Sequence, residues 1–131
     1  MSRRAPRLLL LEDDWRVREA LVAGLTSRGF EVRAGGNGAE GLGQLRREAV
    51  DGVITDLLMP DCDGVEFLLA LRRESPAVPV VAISGGGVMP PGELLRVAHQ
   101  LGAAQVLEKP FTLRMLMAAL ERVGVAGHAH P

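Results

Sequence analysis

At 131 residues, with 47% hydrophobic and 24% charged side chains, the chain holds enough apolar material for one packed domain, too little length for two, and too few polar residues for general disorder. Fifteen basic against 16 acidic residues leave a net charge of -1, which excludes bulk attraction to nucleic acid or to an anionic membrane and predicts local recognition of any partner. A single cysteine, Cys62, excludes an internal disulfide, suits a reducing compartment and reads as a small loop residue without a chemical role.

The basic start MSRRAPR runs into LLLL, which Glu12, Asp13 and Asp14 cut short; this is too little for a signal core or a spanning segment, and a cytoplasmic protein is expected. From there short apolar runs alternate with longer stretches of helical period. The predicted strands are Leu8–Leu11, Phe30–Ala34, Gly52–Thr55, Val80–Ile83 and Gln105–Leu107, mostly continuous apolar runs of the kind needed by a parallel sheet covered on both faces. The first helix, Trp15–Arg28, aligns Val17, Leu21, Val22 and Leu25 and stops at Gly29. The second, Gly38–Arg47, aligns Ala39, Leu42 and Leu45 but carries Gly41 and Gly43, each weakening a helix by about 1 kcal/mol relative to alanine. A third, Val65–Arg73, ends at Ser75-Pro76. Pro91 opens a fourth through Leu101, closed by Gly102, and Thr112 caps a fifth carrying Leu113, Leu116, Met117, Leu120 and Val123.

The tail GVAGHAHP has no apolar period and is expected to fray; His128 and His130, on no rigid element, read as tail rather than metal ligands. The fold class is therefore α/β, a doubly wound five-stranded parallel sheet with five helices. Its parts are an extension over residues 1–6, one domain over 7–123 and a flexible tail over 124–131.

Right-handed crossovers gather the loops leaving the carboxyl ends of the strands along one edge. That edge receives Glu12, Asp13 and Asp14 after the first strand, Asp56 after the third, Ser84 after the fourth and Lys109 after the fifth. Carboxylates meeting there repel one another unless a hard divalent cation sits among them, and an all-oxygen set suits Mg2+. Once so screened, one carboxylate can attack a phosphoryl group, while the metal, a lysine and a hydroxyl neutralise the equatorial oxygens. Of the aspartates in TDLLMPDCDG, Asp56 ends a buried strand and is the nucleophile; Asp61 and Asp63 follow Pro60 and read as turn and capping residues. Lys109 is the only lysine among 15 basic residues, and a compact ammonium on a flexible stem suits a small phosphoryl pocket.

Two other motifs compete. GNGAEG over Gly36–Gly41 matches GxGxxG after a strand and at the start of a helix, as a nucleotide- or flavin-binding module would require. DCDGV resembles the nucleophile motif of haloacid-dehalogenase-like phosphatases, with Asp61 as nucleophile, although Asp61 ends no predicted strand.

LLLLEDDWRVREAL, VITDLLMPDCDG, VVAIS and VLEKPF, in this order and spacing, resemble the receiver domain of bacterial two-component response regulators, over roughly Arg7 to Val123. The resemblance implies a flavodoxin-like sheet of order 2-1-3-4-5. It implies that Asp56 is phosphorylated and that Asp13 binds Mg2+ directly, with Glu12 acting through water and the Leu58 carbonyl as a further ligand. Ser84 and Lys109 would bind phosphoryl oxygens, the Lys109-Pro110 bond would be cis, and Asp14 would cap a helix. No histidine is placed to donate, His99 lying inside the fourth helix, so the implied partner is a sensor histidine kinase or a histidine phosphotransfer protein. A stand-alone receiver is expected, not an enzyme beyond its own phosphoryl transfer and dephosphorylation. It would act on a downstream protein or pass the group onward, as a monomer or a weak phosphorylation-dependent dimer, without nucleic acid or membrane as partner. Docking is expected on the first helix near Arg16 and Arg18, or on the fourth helix, fifth strand and fifth helix. Three features depart from the family pattern. Val106 stands where an aromatic relay is common, SGGGVMPPG suggests a loop, Gly85–Gly92, that changes order on phosphorylation, and Leu58 and Gly86 cannot orient a water, which predicts slow self-dephosphorylation.

Overall fold

Strands and helices alternate along the chain as β1 (Arg7–Leu11), α1 (Trp15–Ser27), β2 (Glu31–Gly35), α2 (Gly38–Arg47), β3 (Gly52–Asp56), α3 (Asp63–Glu74), β4 (Val80–Ser84), α4 (Pro91–Gln100), β5 (Gln105–Glu108) and α5 (Leu113–Arg122). The computed structural model describes residues 5–57, 63–85 and 91–127. All four strand pairings are parallel and the order is β2-β1-β3-β4-β5, the flavodoxin-like arrangement.

Because successive strand residues face opposite ways, each continuous apolar run feeds two cores at once. Leu9, Leu11, Val53, Val80 and Ala82 pack under α2, α3 and α4 against Leu45, Phe67, Leu68, Leu71 and Ala98. Leu8, Leu10, Ile54, Val81 and Ile83 pack under α1 and α5 against Leu25, Leu116, Ala119 and Leu120.

The helix ends follow local chemistry. Asp14 accepts from the Arg16 N–H at 2.9 Å, and Thr112 accepts from the Met115 N–H at 3.1 Å. Gly29 and Gly102 adopt φ of 93° and 88°, the left-handed conformation that turns the chain away from a helix. At α2 the cap is Asn37, whose Oδ1 accepts from the Glu40 N–H at 2.9 Å, while Glu40 Oε1 accepts from the Gly36 N–H at 2.7 Å. This reciprocal pair supports a helix that its two glycines weaken.

Two expectations are corrected. Asp63 lies in α3 as its first residue rather than in a turn before it. Val125, assigned by the sequence to the frayed tail, is 5% exposed and belongs to the core under α1 and α5. One well-placed apolar residue suffices: Gly124 at φ 88° turns the chain back, and the Val125 N–H donates to the Leu120 carbonyl at 2.9 Å.

Candidate functional site

The sheet sets the site geometry through its register. Leu11 pairs with Thr55, Asp56 with Ile83, and Ser84 with Glu108, so the residues that end β1, β3, β4 and β5 form a row. One further ladder bond pins the chain leaving three of them. The Glu12 N–H donates to the Gly35 carbonyl at 3.1 Å, the Leu57 N–H to Ile83 at 2.9 Å, and the Lys109 N–H to Ser84 at 2.7 Å. The functional side chains are thus held by the rigid sheet rather than by free loops.

Glu12, Asp56 and Ser84 are 1%, 3% and 1% exposed, while Asp13 is open to solvent. Lys109 reaches in from the end of β5 and donates through Nζ to Glu12 Oε1 at 2.7 Å and to Asp56 Oδ2 at 2.9 Å. The other Glu12 oxygen accepts from the Asp14 N–H at 3.3 Å. One oxygen each of Glu12, Asp13 and Asp56 lie within 4.8 Å of one another. Three carboxylates against one ammonium leave two negative charges in excess, and a divalent cation would balance them. Oxygen donors of this kind suit Mg2+, which binds them at about 2.0–2.1 Å and keeps several waters.

Burial pushes the Glu12 carboxyl above its usual range; the hydrogen bond and charge of Lys109 oppose this, and the Asp56 charge and Asp13 reinforce it. Burial pulls the Lys109 ammonium down, but its hydrogen bonds to Glu12 and Asp56 and their charges prevail, and its pKa rises. Lys109 therefore stays cationic at neutral pH.

The four site residues Glu12, Asp56, Ser84 and Lys109 stand at the strand ends where the sequence puts them, Asp13 joins them from the loop, and Asp14 caps α1. The Lys109-Pro110 bond is cis. Leu58, Asp61, Cys62 and Gly86–Pro90 lie outside the described residues.

Sequence reasoning missed two supports. Arg18, expected on a docking surface, turns inward instead: Nη1 donates to the Glu12 carbonyl at 2.7 Å and so fixes the loop that carries the acids. Gly64 lies against β3, where an added Cβ would sit 2.4 Å from the Asp56 carbonyl oxygen and 2.9 Å from Leu57 Cα. Only a glycine lets α3 start directly against the residue that carries the Asp56 carboxylate. Nothing in the sequence separates this glycine from an ordinary turn glycine.

The GxGxxG match does not form an anion cradle. The Gly36 N–H that would face a pyrophosphate is already taken by the Glu40 carboxylate, and Gly41 packs inward on Leu11 and Phe67.

The chain belongs to the response regulator receiver domain family, which matches residues 8–121. It is 44% identical over 113 residues to the transcriptional activator protein PfeR of Pseudomonas aeruginosa, covering 86% of this chain and 35% of that protein. It is 36% identical over 121 residues to the transcriptional regulatory protein GlrR of Escherichia coli, covering 92% of this chain and 27% of that protein. The chemotaxis protein CheY4 of Vibrio cholerae superposes with a TM-score of 0.82 at 28% identity, over 90% of this chain and 98% of that one. The chain spans only about a quarter to a third of the length of these two curated relatives. The family is a signalling domain of two-component systems. Among the described residues no helix is long and apolar enough to cross a membrane.

Proposed function

We propose that Asp56 accepts a phosphoryl group from a phosphohistidine on a sensor histidine kinase or a histidine phosphotransfer protein, and that the 7–123 domain then signals by protein contact or onward transfer. The reading rests above all on one observation: the Lys109 ammonium bridges two buried carboxylates, Glu12 and Asp56, beside a three-acid cluster.

An Asp56 carboxylate oxygen attacks phosphorus; the P–O bond forms as the P–N bond breaks, and the electron pair leaves on the imidazole nitrogen, which takes up a proton. Bound by Asp13, Asp56 and the Leu58 carbonyl, with Glu12 acting through water, Mg2+ would supply charge neutralisation at the phosphoryl oxygens. Lys109, held cationic by its carboxylate partners, gives one of its N–H bonds to a phosphoryl oxygen, and the buried Ser84 hydroxyl takes another. The buried, sheet-bound placement of Asp56 fixes the attacking oxygen and limits water. The lone cysteine and the kinase-borne donor fit a cytoplasmic setting.

Labelling with acetyl phosphate or with a cognate kinase tests this. Wild type takes up the label in the presence of Mg2+ and Asp56→Asn takes up none; label retained in that variant moves the acceptor to another residue. Trp15, 61% exposed and two positions after Asp13, reports the metal: its fluorescence changes on Mg2+ titration in wild type and not in Asp13→Asn.

A further inference from the structure

Away from the acidic edge, α2 and α3 leave an open groove of about 440 Å³ lined by Gly38, Ala39, Leu42, Phe67 and Leu69, with Glu66 and Arg73 at its rim. Leu69 is 48% exposed, one of three large exposed hydrophobic side chains among the described residues. The groove exists because α2 presents small residues along it, and beside them a Cβ added at Gly43 would meet nothing within 4 Å.

Glu66, Leu69 and Arg73 form one exposed stripe of α3, with the apolar residue between the two charges. Two helical turns, about 10 Å of rise, separate Glu66 from Arg73, too far for them to pair along their own helix. Among the described residues neither has an ion-pair partner. A two-fold axis requires that a patch complement itself, so that residue i meets j while j meets i. A stripe with opposite charges placed symmetrically about an apolar centre has that property when two copies run antiparallel.

We propose that the α2–α3 face is a homodimer interface: two copies pack antiparallel through α3, Leu69 of each seats in the other's groove, and Glu66 of each pairs with Arg73 of the other. The volume admits a leucine side chain, and the charges set direction and register. α3 is 12 residues long, about 18 Å, and the two helices together are about 20 Å wide, so each copy contributes roughly 400 Å². That is about half of a standard interface per partner, which sets a weak dimer with a Kd on the order of 100 μM. The inference stands independently of phosphoryl transfer, since none of these residues belongs to the acidic site.

Sedimentation equilibrium of the full chain from about 10 μM to about 1 mM, at low and high salt, tests it. Wild type shows a concentration-dependent dimer that salt weakens. Glu66→Arg and Arg73→Glu each weaken self-association at least about tenfold, because each places like charges opposite one another. An equimolar mixture of the two single variants recovers association as a heterodimer, and the double variant E66R/R73E recovers the homodimer. These positions are exposed, so circular dichroism stays unchanged in all variants. A wild type that stays monomeric at about 1 mM overturns the proposal and leaves the groove to a different partner, as do single variants that associate like wild type or a double variant that does not recover.

Discussion

Gly41 and Gly43 lie two residues apart in one helix, and alanine at either would raise helix propensity by the same amount, about 1 kcal/mol. The structure separates them. A Cβ at Gly43 meets nothing within 4 Å, so Gly43→Ala should stabilise the fold by about 0.5–1 kcal/mol. A Cβ at Gly41 would sit 2.7 and 2.8 Å from the two Leu11 methyls and 3.0 Å from Phe67 Cε1. Leu11 and Phe67 are 0% and 1% exposed, and neither can swing into solvent to make room. Overpacking of this kind costs about 1–3 kcal/mol, which cancels or exceeds the propensity gain. Because propensity is common to both variants, the difference between them isolates packing, and Gly43→Ala should be the more stable by about 1–3 kcal/mol. Urea denaturation with unchanged m-values measures that difference directly. If the two variants agree within about 0.5 kcal/mol, the close approach of α2 to Leu11 and Phe67 is not what selects glycine.

Gly64→Ala forces a methyl against main-chain atoms on both sides of Asp56 and should cost about 1–3 kcal/mol or more; it should also weaken Mg2+ binding read at Trp15, whereas a stability loss with unaltered Mg2+ binding would uncouple α3 from the acceptor. Lys109→Ala removes the cation bonded to Glu12 and Asp56, and should cost about 2 kcal/mol in metal-free buffer, much of it recovered by Mg2+; thermal melts with and without the ion check this, and equal stability without Mg2+ rejects the bridge. Arg46 joins α2 to Glu74 of α3 through bonds of 3.0 and 2.6 Å, and its hydrogen bond holds the Glu74 carboxyl below its usual 4.5. The stability this pair contributes is present above pH 4.5 and lost as pH falls through the lower folded value. The stability gap between wild type and Arg46→Ala should therefore close in acid, and a gap constant down to pH 3 contradicts the pairing. Leu58 and Gly86 offer no side chain to orient a water, so the Asp56 phosphoryl half-life should be long, and release as fast as in rapidly self-hydrolysing receivers would refute that reasoning.

The acidic edge was readable because parallel sheets write their geometry along the chain. Each apolar run ends where the strand ends, and in a parallel sheet all those ends face one way, so Glu12, Asp56, Ser84 and Lys109 could be assembled from four separate stretches of sequence. What stayed hidden depends on distances between segments that no periodicity records. Gly64 is a glycine because the Asp56 carbonyl lies where its Cβ would be, and Gly41 because Leu11 and Phe67 fill that space. Arg18 is an exposed-looking helix arginine in the sequence, yet it holds a carbonyl in the acid loop because α1 begins only three residues after Glu12 and its first turn folds the guanidinium back over that loop. The GxGxxG match failed for the same reason in reverse: the spacing was right, but one carboxylate, that of Glu40, occupied the amide an anion would have needed. Spacing along one chain predicts which groups can meet, and the packing of neighbouring segments decides which of them remain available for a ligand.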